Sequence, residues 1–180
     1  MKFCLLYASI RKSSFLIFWY FFNQLVISVG GFMSITVLFV GNNNTVRDAL
    51  RSMLAKHSDI ELLSESDSRD ALSFPQHCPV DVMILDTTLP TLSGIKAAGS
   101  MKIQAAGTPV ILLSFQSDVG YVKKSFREGI AGYLLRECAY EELPEAIRVV
   151  AGGSCYVSPQ IAETTNNGFM EEICRLNKPD

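Results

Sequence analysis

No two cysteines in this chain are spaced to work together. Cys4, Cys78, Cys138, Cys155 and Cys174 form no CxxC pair, and none stands at a ligand-like spacing from either histidine, His57 or His77. That scatter excludes a zinc ribbon and a disulfide framework, and it reads as reduced thiols in a cytoplasmic protein. An excess of positive charge is missing too. The formal net charge is −2, so bulk electrostatics offer nothing to nucleic acid. Internal repeats and low-complexity tracts are absent as well. With 180 residues there is room for one well-buried domain plus extensions, and too little for two ordinary domains.

Charge is absent from one long stretch. "FLIFWYFFNQLVISVGGFM", Phe15 to Met33, follows Arg11 and Lys12 and carries no charged residue of its own. Its length is borderline for a membrane helix or a signal h-region, and Asn23 and Gln24 weaken it. The "SVGG" near its end is a poor cleavage site, which counts against secretion. Two readings of residues 1–32 stay open, a membrane anchor and an extension produced by a mis-assigned start. Met33 opens "MSITVLFV", a natural beginning for a soluble domain. The expected organisation is therefore a hydrophobic extension over 1–32, a folded domain over 33–152 and a polar tail over 153–180.

What is present downstream of Met33 alternates. "ITVLFV" reads as a buried strand, followed by "TVRDALRSMLAK", a helix with Thr45 as its N-cap and Val46, Ala49, Leu50, Met53 and Leu54 on one face. "IELLSE" is a second strand, and "SRDALSF" a short helix that Pro75 stops. "VDVMIL" is apolar on both alternations, as in a strand covered on both faces. "IKAAGSMKIQAA", ended by Gly107, "PVILLS", "DVGYVKKSFREG", ended by Gly129, "GYLL" and "YEELPEAIRVVA" continue the pattern. Pro144 falls near the first turn of the last helix, where it costs less than in mid-helix but is expected to distort the entry. Five βα units in succession predict an α/β fold, with a five-stranded parallel sheet doubly wound into a three-layer sandwich. The remainder reads as loop, with one short helix from Phe169 to Leu176.

Three strand ends carry chemistry. Asp86 ends the third strand, Ser114 the fourth, and Arg136 follows the fifth. In a flavodoxin-like strand order these ends are neighbours at the carboxyl edge, where open α/β sheets place their sites. A carboxylate, a hydroxyl and a fixed cation suit covalent capture of a phosphoryl group: the carboxylate attacks, the hydroxyl donates to a phosphoryl oxygen, and the cation offsets the added charge. Helix capping or turn chemistry is the plainer role for a strand-end aspartate.

These segments resemble a response-regulator receiver domain, CheY-like, over Ile35 to about Pro159. "VMILDTTLPTLSG" is similar to the phosphoacceptor segment of that family, with Pro90 and Gly94 in place, and "VILLS" to its switch-hydroxyl strand. "GIAGYLLRECAYEELPEAIRVVAGGSCYVSP" resembles the closing segment of receivers of the NarL/LuxR type. The resemblance implies that Asp86 is the phosphoacceptor, Ser114 the switch hydroxyl and Tyr133 the switch aromatic. It also implies a histidine kinase or another signalling protein as partner in a two-component phosphorelay.

Two departures from the family pattern set the expectation for chemistry. Its first strand normally ends in an acidic pair that holds Mg²⁺, and Gly41 and Asn42 stand at those positions. Its lysine is replaced by Arg136. Mg²⁺ is usually held by one or two carboxylates with waters and phosphate oxygens. Each lost carboxylate removes an attraction of roughly 4 kcal/mol per unit charge at an effective dielectric near 20, before desolvation offsets most of it. Asp86 and the backbone carbonyl of Thr88 remain, with a neutral oxygen on Asn42, so no cofactor is expected beyond weakly held Mg²⁺. Arg136 presents a planar fork suited to a carboxylate and is expected to pair directly with Asp86, blocking its nucleophilic oxygen.

The leading expectation is an atypical receiver that is not an enzyme and acts as a protein-interaction module, with Mg²⁺-dependent phosphorylation at Asp86 impaired. A working phosphoacceptor is the alternative. A haloacid-dehalogenase-like phosphatase is a third, weakened because Thr88 stands where that family needs a general acid. Receivers carry partner contacts on the face of the fourth helix, fifth strand and fifth helix. Here Lys123, Lys124 and Arg127 oppose Glu141 and Glu142, so weak homodimerisation through that face is expected. The tail shows no basic character, so direct DNA binding is not expected.

Overall fold

The computed structural model describes residues 34–41, 43–64, 80–86, 107–165 and 168–176. Asn42, Thr88, Pro90, Gly94, the helices expected in "SRDALSF" and "IKAAGSMKIQAA", and the extension over 1–32 lie outside the described residues.

Six strands are described: β1 (Ile35–Val40), β2 (Ile60–Ser64), β3 (Val82–Asp86), β4 (Val110–Ser114), β5 (Gly132–Leu135) and β6 (Tyr156–Val157). All pair in parallel, in the order β2-β1-β3-β4-β5-β6. The first five follow the expected flavodoxin-like order, whose switch point falls at β1 and β3. The described helices are α1 (Asn44–Leu54), α2 (Val119–Arg127), α3 (Ala139–Ala151), α4 (Pro159–Ala162) and α5 (Phe169–Leu176). Helices α2 and α3 correspond to the expected fourth and fifth helices.

Alternation along the strands divides the core in two. Val37, Phe39, Ile84, Ile111, Leu113 and Leu134 face α1 and α3, which contribute Leu50, Met53, Leu54, Leu143, Ile147 and Val150. Leu38, Val40, Met83, Leu85, Leu112 and Tyr133 face the other way, onto Val122 and Phe126 of α2. The continuous apolar runs of β3 and β4 follow from this, because every residue in them is buried.

Local corrections have local causes. Asn43, not Thr45, caps α1: its side chain accepts from the N–H groups of Thr45 and Val46 at 3.0 and 3.3 Å. Helix α3 begins at Ala139, one residue before the expected start, so Pro144 is buried inside the helix beyond its first turn. Gly129 does close α2, with φ of 91°, the left-handed conformation that glycine adopts without a Cβ penalty.

The largest correction concerns the stretch read as a loop-like tail. Strand β6 adds a sixth member to the sheet, and Val157, Ile161, Phe169 and Ile173 enter the same core face as Tyr133. Ser158 fastens the segment. Its N–H donates to the Tyr133 carbonyl at 2.9 Å, and its Oγ accepts from Leu135 N at 2.9 Å and donates to Glu142 Oε2 at 2.6 Å. A two-residue strand is too short to show any periodicity. Only the helix at 169–176, with Phe169 and Ile173 one turn apart, carried a legible pattern.

Candidate functional site

The parallel register brings the carboxyl ends of β3, β4 and β5 side by side. Asp86 pairs with Leu113, and Ser114 pairs with Leu135, the residue before Arg136. Asp86 is fully buried. A carboxylate there needs a partner, since an unpaired buried charge is among the costliest features a fold can carry. Arg136 supplies one: Nη2 donates to Asp86 Oδ2 at 2.5 Å, with the arginine side chain 13% exposed. The backbone N–H of Arg136 donates to the Ser114 carbonyl at 2.9 Å, which fixes the base of the side chain to β4. On its outer side the guanidinium lies 5.0 Å from the ring centroid of Phe115, an aromatic that is 70% exposed. A cation over an aromatic face is attracted by the ring quadrupole.

Ser114 and Tyr133 meet through the loop after β4. The Gln116 N–H donates to Ser114 Oγ at 3.1 Å, and the Tyr133 hydroxyl donates to the Gln116 carbonyl at 2.7 Å. Tyr133 is fully buried, with its ring edge-on to Tyr121 at 6.3 Å between centroids and 76° between planes. Burial pushes its hydroxyl up to about 12, and the Ser114 hydroxyl offsets part of that. Ser114, Tyr133 and Arg136 therefore form one network around β4 and β5, and Asp86 joins it from β3.

The end of β1 is closely packed around Gly41. A Cβ at Gly41 would stand 2.7 Å from Phe39 Cζ and 3.0 Å from Asp86 Cβ. The room for an acidic side chain is taken by the Phe39 ring, which is fully buried. Among the described residues no three His, Cys, Asp or Glu side chains converge as a metal site. The described part of the site, a phenylalanine ring, a glycine and a guanidinium around one carboxylate, does not fit Mg²⁺. Asn42 and Thr88, the other candidate ligands, lie outside the described residues.

The structure thus gathers Asp86, Ser114, Tyr133, Arg136 and Gly41 at one edge. Phe39, Phe115 and Gln116 were not anticipated. A signal existed for the first: a bulky ring two residues before a glycine, in "FVG", at a position where a side chain was expected.

The comparisons give the family and the fold. The family described as response regulator receiver domain matches residues 37–148. Among curated proteins, the transcriptional regulatory protein DegU of Brevibacillus brevis is 27% identical over 147 residues, covering 81% of this chain and 61% of that protein. The transcriptional regulatory protein DesR of Bacillus subtilis is 30% identical over 130 residues, covering 72% of this chain and 64% of its own length. The chain thus spans about three fifths of the length of these regulators. Among solved structures, a LuxR-family two-component response regulator from Aurantimonas superposes with a TM-score of 0.66 at 22% identity, covering 72% of this chain and 94% of that one. The chemotaxis protein CheY4 of Vibrio cholerae gives 0.57 at 22% identity, over 64% and 97%. At that identity the structures speak for the fold. Among the described residues no helix is long and apolar enough to cross a membrane.

Proposed function

The chain belongs to the response-regulator receiver family, and from that premise we propose that it is an atypical receiver whose phosphoacceptor position is held by an internal cation. Receivers of this family interact with histidine kinases and other signalling proteins. In this reading the chain keeps the interaction surfaces and gives up most of the phosphotransfer chemistry. The observation that carries it is the contact of 2.5 Å between Arg136 Nη2 and the buried Asp86 Oδ2. In this reading the guanidinium holds Oδ2 back from attack on phosphorus. The Phe39 ring supports the same reading, because it fills the place of a metal-binding carboxylate. The chain then works as a binding module and not as an enzyme, in the cytoplasm, with a kinase or another signalling protein as its partner.

A second copy is the other partner in this proposal, through the face of α2, β5 and α3. Contact with nucleic acid is not part of it, since a net charge of −2 supplies no long-range attraction. The working-phosphoacceptor reading draws on the alignment of Asp86 and Ser114 at adjacent strand ends, and it requires Arg136 to leave Asp86. Calorimetric titration of the purified chain with Mg²⁺ separates the two. The proposed function expects no saturable binding in the millimolar range, the order expected of a few carboxylates around a hydrated ion. A saturable isotherm there, lost in Asp86→Asn, would favour the working phosphoacceptor.

A further inference from the structure

Helix α5 lies on α2, the helix that the self-association face depends on. Phe169 and Ile173, one turn apart, are buried against the core face shared with α2, and Leu176 packs beside them one turn further on. Between the anchors, Glu172 Oε2 sits 2.8 Å from Lys123 Nζ, and the same ammonium stands 5.9 Å from the Phe169 ring centroid. Lys123, expected as an exposed member of a basic patch, is thus already taken by an acidic helix of its own chain.

Two properties make this contact a cover and not a wall. The helix has eight residues, shorter than the roughly 12–15 that isolated helices need in water. Its helical form therefore depends on being docked, and undocking and melting are one event. The charge pattern is also duplicated. The acid that α5 offers to Lys123 resembles the acidic first turn of α3, where Glu141 is exposed beside Glu142, which accepts from Ser158 Oγ. A second copy presenting that turn would meet the same cation, with Lys124 and Arg127 exposed beside it.

We propose that α5 is a releasable cover on α2: docked, it denies this face to a second copy of the chain, and released, it lets the copies associate. The inference rests on the reading of α2, β5 and α3 as the self-association face. It is independent of whether Asp86 accepts phosphate.

Amide hydrogen exchange and sedimentation velocity on the full chain test it together. Native α5 amides should exchange faster than those of β4, through opening that leaves the sheet intact. Glu172→Lys, a change at a partly exposed position, should speed α5 exchange about fivefold, the ratio set by losing an ion pair worth about 1 kcal/mol. Adding Lys123→Glu should restore protection. Ile173→Asp should abolish α5 protection, preserve that of β4, and give concentration-dependent dimers that Lys124→Glu weakens. Glu172→Lys keeps the test decisive if Ile173→Asp does not fold, since it should raise the dimer fraction in step with α5 exchange. Exchange of native α5 only with global unfolding would overturn the proposal. So would α5 released in a chain that stays monomeric at every concentration. Dimers indifferent to Lys124→Glu would overturn it together with the reading of the face.

Discussion

Arg136 reaches from the end of β5 to the end of β3 and places Nη2 2.5 Å from Oδ2 of the fully buried Asp86. A charge pair out of water contributes little net stability when intact, because desolvation cancels most of the attraction. Breaking one side is a different matter. Arg136→Ala takes the guanidinium away from a buried carboxylate, and we predict a loss of about 3–5 kcal/mol in urea unfolding at neutral pH. Asp86→Asn with Arg136→Ala should recover part of it, because the groups share one interaction and their effects do not add.

Gly41 and Phe39 make a second coupled pair. With Phe39 Cζ 2.7 Å from where a Cβ would go, Gly41→Ala overpacks a buried site and should cost about 1–3 kcal/mol. In a Phe39→Leu background the same substitution should cost less than half as much. The pair also bears on the metal. Gly41→Asp with Asn42→Asp should gain no measurable Mg²⁺ affinity by calorimetry while the ring remains, and should gain it once Phe39→Val opens the space.

Stability should bend at both ends of the pH range. Arg148 donates to Asp59 through Nε at 2.7 Å and Nη2 at 3.1 Å, and this pair holds the Asp59 carboxyl below its ordinary value. A depressed carboxylate stabilises the fold above its unfolded value of 3.8, and the contribution is lost as pH falls through the lower folded value. Arg148→Gln should therefore flatten the acid limb below about pH 4. At the other end, burial raises Tyr133 from 10.0 to about 12. A neutral phenol favoured by the fold stabilises fully below 10.0, and that contribution disappears as pH rises to about 12. Tyr133→Phe should shallow the alkaline limb. In ultraviolet titration it should also remove one late-titrating tyrosine, while Tyr156, which burial likewise pushes up to about 12, and Tyr121, also raised by burial, remain.

Where the sequence was legible, it was so for reasons visible in particular residues. The apolar runs of β3 and β4 announced strands buried on both faces, and the neighbouring strand ends followed from the alternation of elements. Asp86, Ser114 and Arg136 could be grouped at one edge because strand order and register place them there. Strand order alone does not find Phe39, since its apolar character suits any β1 position; the one sequence signal is the ring two residues before Gly41, and packing turns it toward that glycine. Strand β6 hid for the opposite reason. Two residues carry no period, and the hydrogen bonds of Ser158 that fix the segment join residues 16 and 23 positions apart. Lys123 looked free because its partner, Glu172, comes from a stretch dominated by polar residues.

The most direct test of the central claim is covalent labelling of Asp86 by a small phosphodonor with Mg²⁺, read by intact mass. Wild type should stay unlabelled, Arg136→Lys with the two restored carboxylates and Phe39→Val should label, and adding Asp86→Asn should abolish that. Efficient Mg²⁺-dependent labelling of the wild-type chain, lost in Asp86→Asn, would contradict the account and make Arg136 a group that steps aside for the phosphoryl donor.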